Sequence, residues 1–375
     1  MPIAAHRFTM LAWIPAASFH RHKQRRYDKY IVIPGMAAII FSMFENISII
    51  GDGAMATVMA MLLCEKKMQV RIWGYDREQL GEIERHRENI KFLPGYKLPR
   101  SLAFEPDDAR IMAGADLIVS AVPCQFIRQV CERSRDYVPD DVPIVSTAKG
   151  IENDTLLRPS QILADVLGEK GGRVFAVLSG PTIADELARK LPATACAAAV
   201  DEQLAKDVQR TFNCSWLRVY SNTDIVGVEL AAACKNIIAI AAGIIDGVGA
   251  GDNAKAALLC RGLAEITRLG VACEARPQTF AGLTGLGDLV TTCISPKGRN
   301  RSFGERIGKG QTVEAARRAT ESVIEGFATC KSVIALAKQY DVEMPITQAV
   351  YEVLFEDKSV QRAISDLMTR RLKAE

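Results

Sequence analysis

Histidine is nearly absent from this chain. Four occur in 375 residues, and His6, His20 and His22 fall near the N-terminus, leaving His86 alone in the body. A catalytic imidazole therefore has one candidate, and a zinc site built from Cys and His lacks ligands, so no metal is expected. No C-x-x-C occurs among the ten cysteines, whose closest pair is Cys124 and Cys131, and several lie inside apolar runs. They read as buried thiols in a reducing compartment, the cytoplasm. Net charge is scarce too: 47 Lys and Arg face 44 Asp and Glu, for +3 overall. Residues 1–43 carry more than that excess, since Arg7, Arg21, Lys23, Arg25, Arg26 and Lys29 face only Asp28. The body is close to neutral, which excludes nucleic acid as a partner, because such binding rests on clustered cations.

Residues 31–43 (IVIPGMAAIIFSM) resemble a short signal or anchor but are too short, and too broken by Pro34-Gly35, to span a bilayer, so no stable membrane insertion is expected. Three readings of residues 1–43 stay open: a start assigned too far upstream, with Met43 the true start; an added disordered tail; or a targeting segment. In each case the stretch lies outside the fold.

What the chain does have is apolar material, 49% of its residues, enough for two domains with cores of their own. From Asn46 to about Tyr220, short runs rich in Val and Ile alternate with helical stretches: Ile47–Ile50, Gln69–Trp73, Asp116–Ala121, Pro143–Thr147, Arg173–Ser179, Thr194–Val200 and Trp216–Tyr220. Continuous apolar strands between helices predict an α/β Rossmann-like domain over 44–221, with a doubly wound, mostly parallel sheet. After Ser221 the spacing is helical throughout, as in Asp224–Ile245, Asn253–Leu269, Thr312–Ala319 and Ile324–Gln339, so residues 222–375 are predicted to form an all-α domain.

The segment Ile49-Ile50-Gly51-Asp52-Gly53-Ala54-Met55-Ala56-Thr57 places a strand, a glycine turn and a helix start in the order that cradles a pyrophosphate. Gly51 makes the turn, Gly53 lets the backbone approach the ligand, and Ala56 lets helix and strand pack closely. The second strand ends at Trp73 and is followed by Gly74-Tyr75-Asp76-Arg77, where the adenosine ribose is read. Asp76 favours a free ribose hydroxyl and Arg77 a phosphate, so NAD and NADP both remain open.

Three polar constellations interrupt apolar segments. Lys149 follows a strand in STAKG; Lys235 and Asn236 sit inside the apolar helix VELAAACKNIIAI; Asp288 lies in GLTGLGDLVTTC, ahead of Arg299-Asn300-Arg301. An ammonium in so apolar a helix must find partners or lose its proton readily, which makes Lys235 a candidate general acid and base, favoured over a lysine snorkelling to the surface because its neighbours leave little polar surface. Asp288 is read either as its opposing carboxylate or as a solvated loop acid or helix cap. Arg299 and Asn300 offer a guanidinium fork and an amide to a substrate phosphate, or else lie in a surface loop. Gly180-Pro181-Thr182, after the strand ending at Ser179, adds backbone donors and a hydroxyl, or is a simple turn.

These motifs together resemble the NAD(P)-dependent glycerol-3-phosphate dehydrogenases, from about Ile47 to Pro345: IIGDGAMAT, STAKG, LSGPT, VELAAACKN, GLTGLGDL, RNR and VIEG, in order. The resemblance implies interconversion of sn-glycerol 3-phosphate and dihydroxyacetone phosphate, toward phospholipid precursors, usually by a homodimer. It implies that Lys235 exchanges the proton, that Lys149 contacts substrate and cofactor, and that Gly180, Thr182, Asn236, Asp288, Thr292, Arg299 and Asn300 surround the substrate. Gly51, Gly53, Ala54, Met55, Ala56, Tyr75, Ala184, Val323 and Glu325 would line the cofactor, with Arg299 near it. Family members commonly have glycine at the position of Ala56, an aromatic at Met55, a small residue at Asp52, and some a serine at Gly298. Two rivals are a hydroxyacid or ketoacid dehydrogenase, disfavoured by Arg299-Asn300, and a non-catalytic nucleotide sensor, disfavoured by Lys149, Lys235 and Asp288. A membrane-bound flavin enzyme is disfavoured by the helical second half.

Overall fold

The strands follow the Val- and Ile-rich runs closely. In the computed structural model, which describes residues 44–168, 172–320 and 323–372, they are β1 (Asn46–Ile50), β2 (Gln69–Trp73), β3 (Glu88–Asn89), β4 (Leu93–Lys97), β5 (Ala103–Phe104), β6 (Leu117–Ser120), β7 (Ile144–Ser146), β8 (Phe175–Ser179), β9 (Ala193–Ala199) and β10 (Leu217–Asn222). The expectations for residues 1–43 fall outside the described residues.

Eight strands form one sheet in the order β10-β9-β8-β7-β6-β1-β2-β5. β1 lies between β2 and β6, with Ile49 opposite both Ile72 and Val119, and Ile47, Ile49, Leu117 and Val119 are fully buried. Within this sheet all pairings are parallel except β8 with β9. That exception follows from the connection: residues 180–192 contain only a five-residue helix, too short to carry the chain back along a strand. The antiparallel pair β3–β4 and the short β5 were not expected from the sequence; Pro94-Gly95 inside β4 reads as a turn, and two-residue strands carry no periodicity.

Helices α1 (Ala54–Glu65), α2 (Arg77–His86), α3 (Asp108–Met112), α4 (Ile127–Ser134), α5 (Pro159–Leu167), α6 (Ala184–Ala188) and α7 (Glu202–Phe212) connect the strands. The chain then becomes helical: α8 (Ile225–Val248), α9 (Asp252–Ala272), α10 (Pro277–Ala281), a π-helical turn Leu283–Gly287, α11 (Asp288–Ile294), α12 (Arg299–Gly308), α13 (Val313–Arg318), α14 (Glu325–Gln339), α15 (Pro345–Phe355) and α16 (Val360–Met368).

α8 organises this half. Asp224 caps it by accepting from Gly227 N at 2.9 Å, and Gly249 ends it at φ +70°. Every residue from Val228 to Ile240 is buried, as expected of a helix apolar all round. By length and a mean hydropathy of 1.8 it matches a membrane span, yet 94% of that window is buried inside the protein. α12 packs against it through glycines on both helices. A Cβ on Gly243 would lie 1.9 Å from Arg301 O, and one on Gly304 would lie 2.0 Å from Ile240 O. Only glycine permits that backbone contact. It brings Asn300, in the first turn of α12, beside Asn236 of α8.

The cysteines are free and mostly buried, with a correction: Cys260 is exposed on α9, and Cys214 and Cys273 are half-buried. The apolar neighbours of Cys260 in sequence, Leu258 and Leu259, gave the opposite expectation because a helix turns adjacent residues to different faces.

Candidate active site

The glycine turn lies at the switch point of the sheet, where chain order reverses between β1 and β6 and where open α/β sheets bind ligands. Gly51 has φ +115°, and a Cβ there would meet Ala121 O, just beyond β6, at 2.9 Å, so both conformation and space require glycine. A Cβ on Gly53 would meet nothing within 4 Å, leaving open space above the second glycine. No side chain caps the start of α1. Its first-turn N–H groups, those of Ala54, Met55 and Ala56, are thus available to an anion. This cradle fits a dinucleotide pyrophosphate. Asn89 clamps it from β3, donating to Asp52 O at 2.7 Å and to Thr57 Oγ1 at 2.8 Å.

Lys149 follows β7, and Gly180 and Thr182 follow the adjacent β8, so all three stand at one sheet edge. Met55, Lys149, Ser179 and Thr182 line a single small cavity there, which joins the glycine loop to the polar cluster. The Lys149 ammonium donates to Gly180 O at 2.9 Å and to Asp288 Oδ2 at 2.7 Å. The other Asp288 oxygen, Oδ1, pairs with Lys235 Nζ at 3.0 Å and accepts from Thr292 Oγ1 at 3.2 Å. Lys235 also donates to Thr292 Oγ1. One buried carboxylate thus holds two lysines from the two halves of the chain. Asp288 owes its placement to the π-turn immediately before it, and as the first residue of α11 its charge faces the positive end of that helix.

Burial lowers the pKa of the Lys235 ammonium to about 8; Asp288 opposes the shift and Lys149 adds to it. Asn236, one residue on, orients a second chain of amides. Its Nδ2 donates to Lys149 O at 3.4 Å, its Oδ1 accepts from Asn300 Nδ2 at 3.0 Å, and Asn300 Oδ1 accepts from Gly326 N at 3.0 Å. Glu325 beside it accepts from Cys124 N at 3.3 Å through Oε1, while its buried Oε2 has no partner. Burial pushes its carboxyl up to about 7, against the pull of Cys124 N and of the Arg299 charge. An orphaned oxygen beside the switch point suits a bound ligand better than a core position.

Of the residues singled out from sequence, Lys149, Gly180, Thr182, Lys235, Asn236, Asp288, Thr292 and Asn300 form one hydrogen-bonded cluster. Asp288 is neither solvated nor a loop acid, being 2% exposed. Arg299 is exposed and bonded to none of these, though its charge is felt at Glu325. Tyr75 and Val323 are exposed and Ala184 begins α6, all outside the cluster. His86 faces solvent on α2, paired with Glu82. The clamp Asn89 was not foreseen, because its hairpin was not. Among the described residues no group of three or more His, Cys, Asp or Glu is placed to hold a metal.

Comparison with known proteins shows the family. The family described as NAD-dependent glycerol-3-phosphate dehydrogenase N-terminus matches residues 46–205, and the corresponding C-terminus matches residues 224–365. Glycerol-3-phosphate dehydrogenase, NAD(P)+, of Citrifermentans bemidjiense is 47% identical over 333 residues, which is 89% of this chain and 99% of that protein. A Mycobacterium tuberculosis relative, named as the second glycerol-3-phosphate dehydrogenase, NAD(P)+, is 44% identical over 88% of this chain and 98% of its own. The crystal structure of glycerol-3-phosphate dehydrogenase from Coxiella burnetii superposes with a TM-score of 0.84 at 36% identity, over 87% of this chain and 99% of that one. D-mandelate dehydrogenase, at 13% identity and TM-score 0.57 over 86% of this chain and all of its own, shares the fold alone. The chain belongs to the NAD(P)-dependent glycerol-3-phosphate dehydrogenase family.

Proposed function

We propose that the chain interconverts sn-glycerol 3-phosphate and dihydroxyacetone phosphate, with Lys235 giving and taking the proton at the substrate oxygen. The observation that carries this reading is the shared carboxylate. Asp288 holds Lys235 and Lys149 at 3.0 and 2.7 Å in a buried cleft. Two ammonium groups on one carboxylate leave a surplus positive charge where an alkoxide develops during carbonyl reduction.

NAD(P) supplies or accepts the hydride when bound. The chain's part is orientation and proton transfer. With its pKa near 8, Lys235 is protonated below that pH, ready to donate during reduction, and neutral above it, ready to accept during oxidation. Thr292 and Asp288 fix its direction, and Lys149 reaches the same oxygen from the sheet side. Arg299 and Asn300, in the first turn of α12, bind the substrate phosphate with the help of free helix N–H groups. Gly180 and Thr182 close the pocket. Residues 44–221 hold the cofactor, with Gly51, Gly53, Ala54, Met55, Ala56 and Tyr75 along it, and residues 222–375 contribute most of the substrate contacts. Ala184, Val323 and Glu325, with Arg299, line the cofactor's inner end. The resemblance further implies a homodimer working in the cytoplasm to supply glycerol 3-phosphate for phospholipids; sedimentation of the purified chain tests the first point.

The test is to follow nicotinamide absorbance with dihydroxyacetone phosphate and NADH or NADPH, for the wild type and Lys235→Ala. Turnover by the wild type and its loss in a variant that still binds NADH support the reading. A folded wild type that binds cofactor but turns over neither substrate leaves a nucleotide sensor in its place.

A further inference from the structure

The glycine loop contains a residue its task does not explain. Asp52, between the two glycines, carries a charge where a bound pyrophosphate is also negative. The structure places that charge elsewhere. A Cβ built on Gly74 would lie 2.7 Å from Asp52 Oδ2 and 3.2 Å from Asp52 Cβ. The carboxylate therefore occupies the space that a side chain on residue 74 would enter, immediately past the end of β2. In a dinucleotide-binding fold that position faces the adenosine ribose, and an acid there accepts from the 2′-hydroxyl.

We infer that Asp52 is the ribose reader of this enzyme, delivering from the glycine loop the carboxylate that β2 does not supply, and that it makes the site selective for NAD over NADP. The inference rests on the reading of Gly51–Ala56 as the pyrophosphate cradle.

Four observations support it. Gly74 is buried and lacks a side chain, so the direct successor of β2 has nothing with which to read a hydroxyl. Asp76, the other acid nearby, is committed locally: its Oδ1 caps α2, accepting from Glu78 N at 2.9 Å and Gln79 N at 3.2 Å. A cation beside the end of β2 is also committed. Arg133 lies over the Trp73 and Tyr75 rings, 5.4 and 5.8 Å from their centroids, and its Nε donates to Asp108 at 2.6 Å. Finally, burial raises the pKa of Asp52 and Asp76 raises it further, while Lys91 and a backbone hydrogen bond within Asp52 oppose the rise. A carboxylate already short of solvation gains from a hydroxyl donor and loses from a second anion. Arg77 and Lys91 are the remaining cations here. Both are exposed, so a 2′-phosphate drawn to them would meet fixed negative charge first. The exposed Tyr75, edge-on to Trp73, leaves a ring face for adenine.

Direct titration of the purified full-length protein with NADH and with NADPH, read by nicotinamide fluorescence and without substrate, tests the inference. The wild type should bind NADH at least about tenfold more tightly, the scale of one charge-assisted hydrogen bond. Asp52→Asn, which keeps the volume and removes the charge, should weaken NADH and strengthen NADPH, bringing the two within about threefold. Asp52→Ala should do the same by a route that does not depend on the amide. Equal affinity in the wild type, or a ratio unchanged in both variants, overturns the inference. So does a ratio that collapses in Asp76→Ser but not in the Asp52 variants, which would assign the reading to Asp76. Failure of the wild type to bind either cofactor would instead strike the cradle itself.

Discussion

The two sides of the cleft are built by opposite means. On the sheet side the candidate cofactor cradle is almost all backbone: a left-handed glycine, an uncapped helix start and open space above Gly53. On the helical side the site is almost all side chain: a lysine paired with an aspartate, and two asparagines bonded to each other, all buried on or against α8. The first depends on what is missing and tolerates little added bulk. The second depends on complete pairing and tolerates little removal. Mutations should therefore separate binding from chemistry along the line between the two sides.

The largest effect should come from Lys235→Ala, which should lower turnover by about 10²- to 10⁴-fold while NADH affinity, measured by fluorescence, stays near wild type. A parallel loss of cofactor binding would break the comparison. In the wild type, kcat/KM for reduction should fall as pH rises through about 8 and that for oxidation should rise over the same interval, since Lys235 loses its proton there. Next, Asp288→Asn leaves the buried Lys235 and the half-buried Lys149 without a carboxylate. It should cost about 3–5 kcal/mol of stability in a denaturant titration, and a loss under ~1 kcal/mol would mean that the cluster is wetter than its burial indicates. Gly243→Ala pushes a methyl into the α12 backbone; about 1–3 kcal/mol of destabilisation is expected, with kcat reduced as Arg299 and Asn300 shift. On the sheet side, Asn89→Ala should raise the Kd for NADH by up to about tenfold, one lost hydrogen-bonding group, and leave kcat unchanged at saturation. Smallest of all, Lys190→Ala removes an exposed pair with Glu65 and should change stability by less than ~1 kcal/mol.

The same division governs how far the sequence could be read. The long parallel strands were legible because burial on both faces leaves continuous Val and Ile. The hairpin β3–β4 was not, since Pro94-Gly95 looks like a turn whether or not strands flank it. Lys235 stood out because a charge in VELAAACKNIIAI has no polar face to reach. Asp288 did not resolve into loop acid or buried partner until the π-turn at Leu283–Gly287 was seen, because its glycines permit either course. Asn89 gave no signal at all: its role depends on a two-residue strand meeting a loop 37 positions earlier in the chain. The sequence likewise places Asp52 in the loop without showing that its carboxylate leans over Gly74.

The burial of the middle of α8 also bears on how the enzyme fails when warmed. Segments open locally with free energies set by how much packing they must break, and a helix enclosed from Val228 to Ile240 exchanges its amides only when the whole fold opens. The glycine turn lies beside open space and is held by Gly51 N donating to Trp73 O at 2.8 Å and by one asparagine from a short hairpin. Cofactor affinity should therefore decay at temperatures where the helical half is still intact, and bound nicotinamide should protect the amides of Gly51–Ala56 far more than those around Lys235. On the proposed reading, the proton-transfer geometry should persist until global melting, while the cofactor cradle should loosen before it.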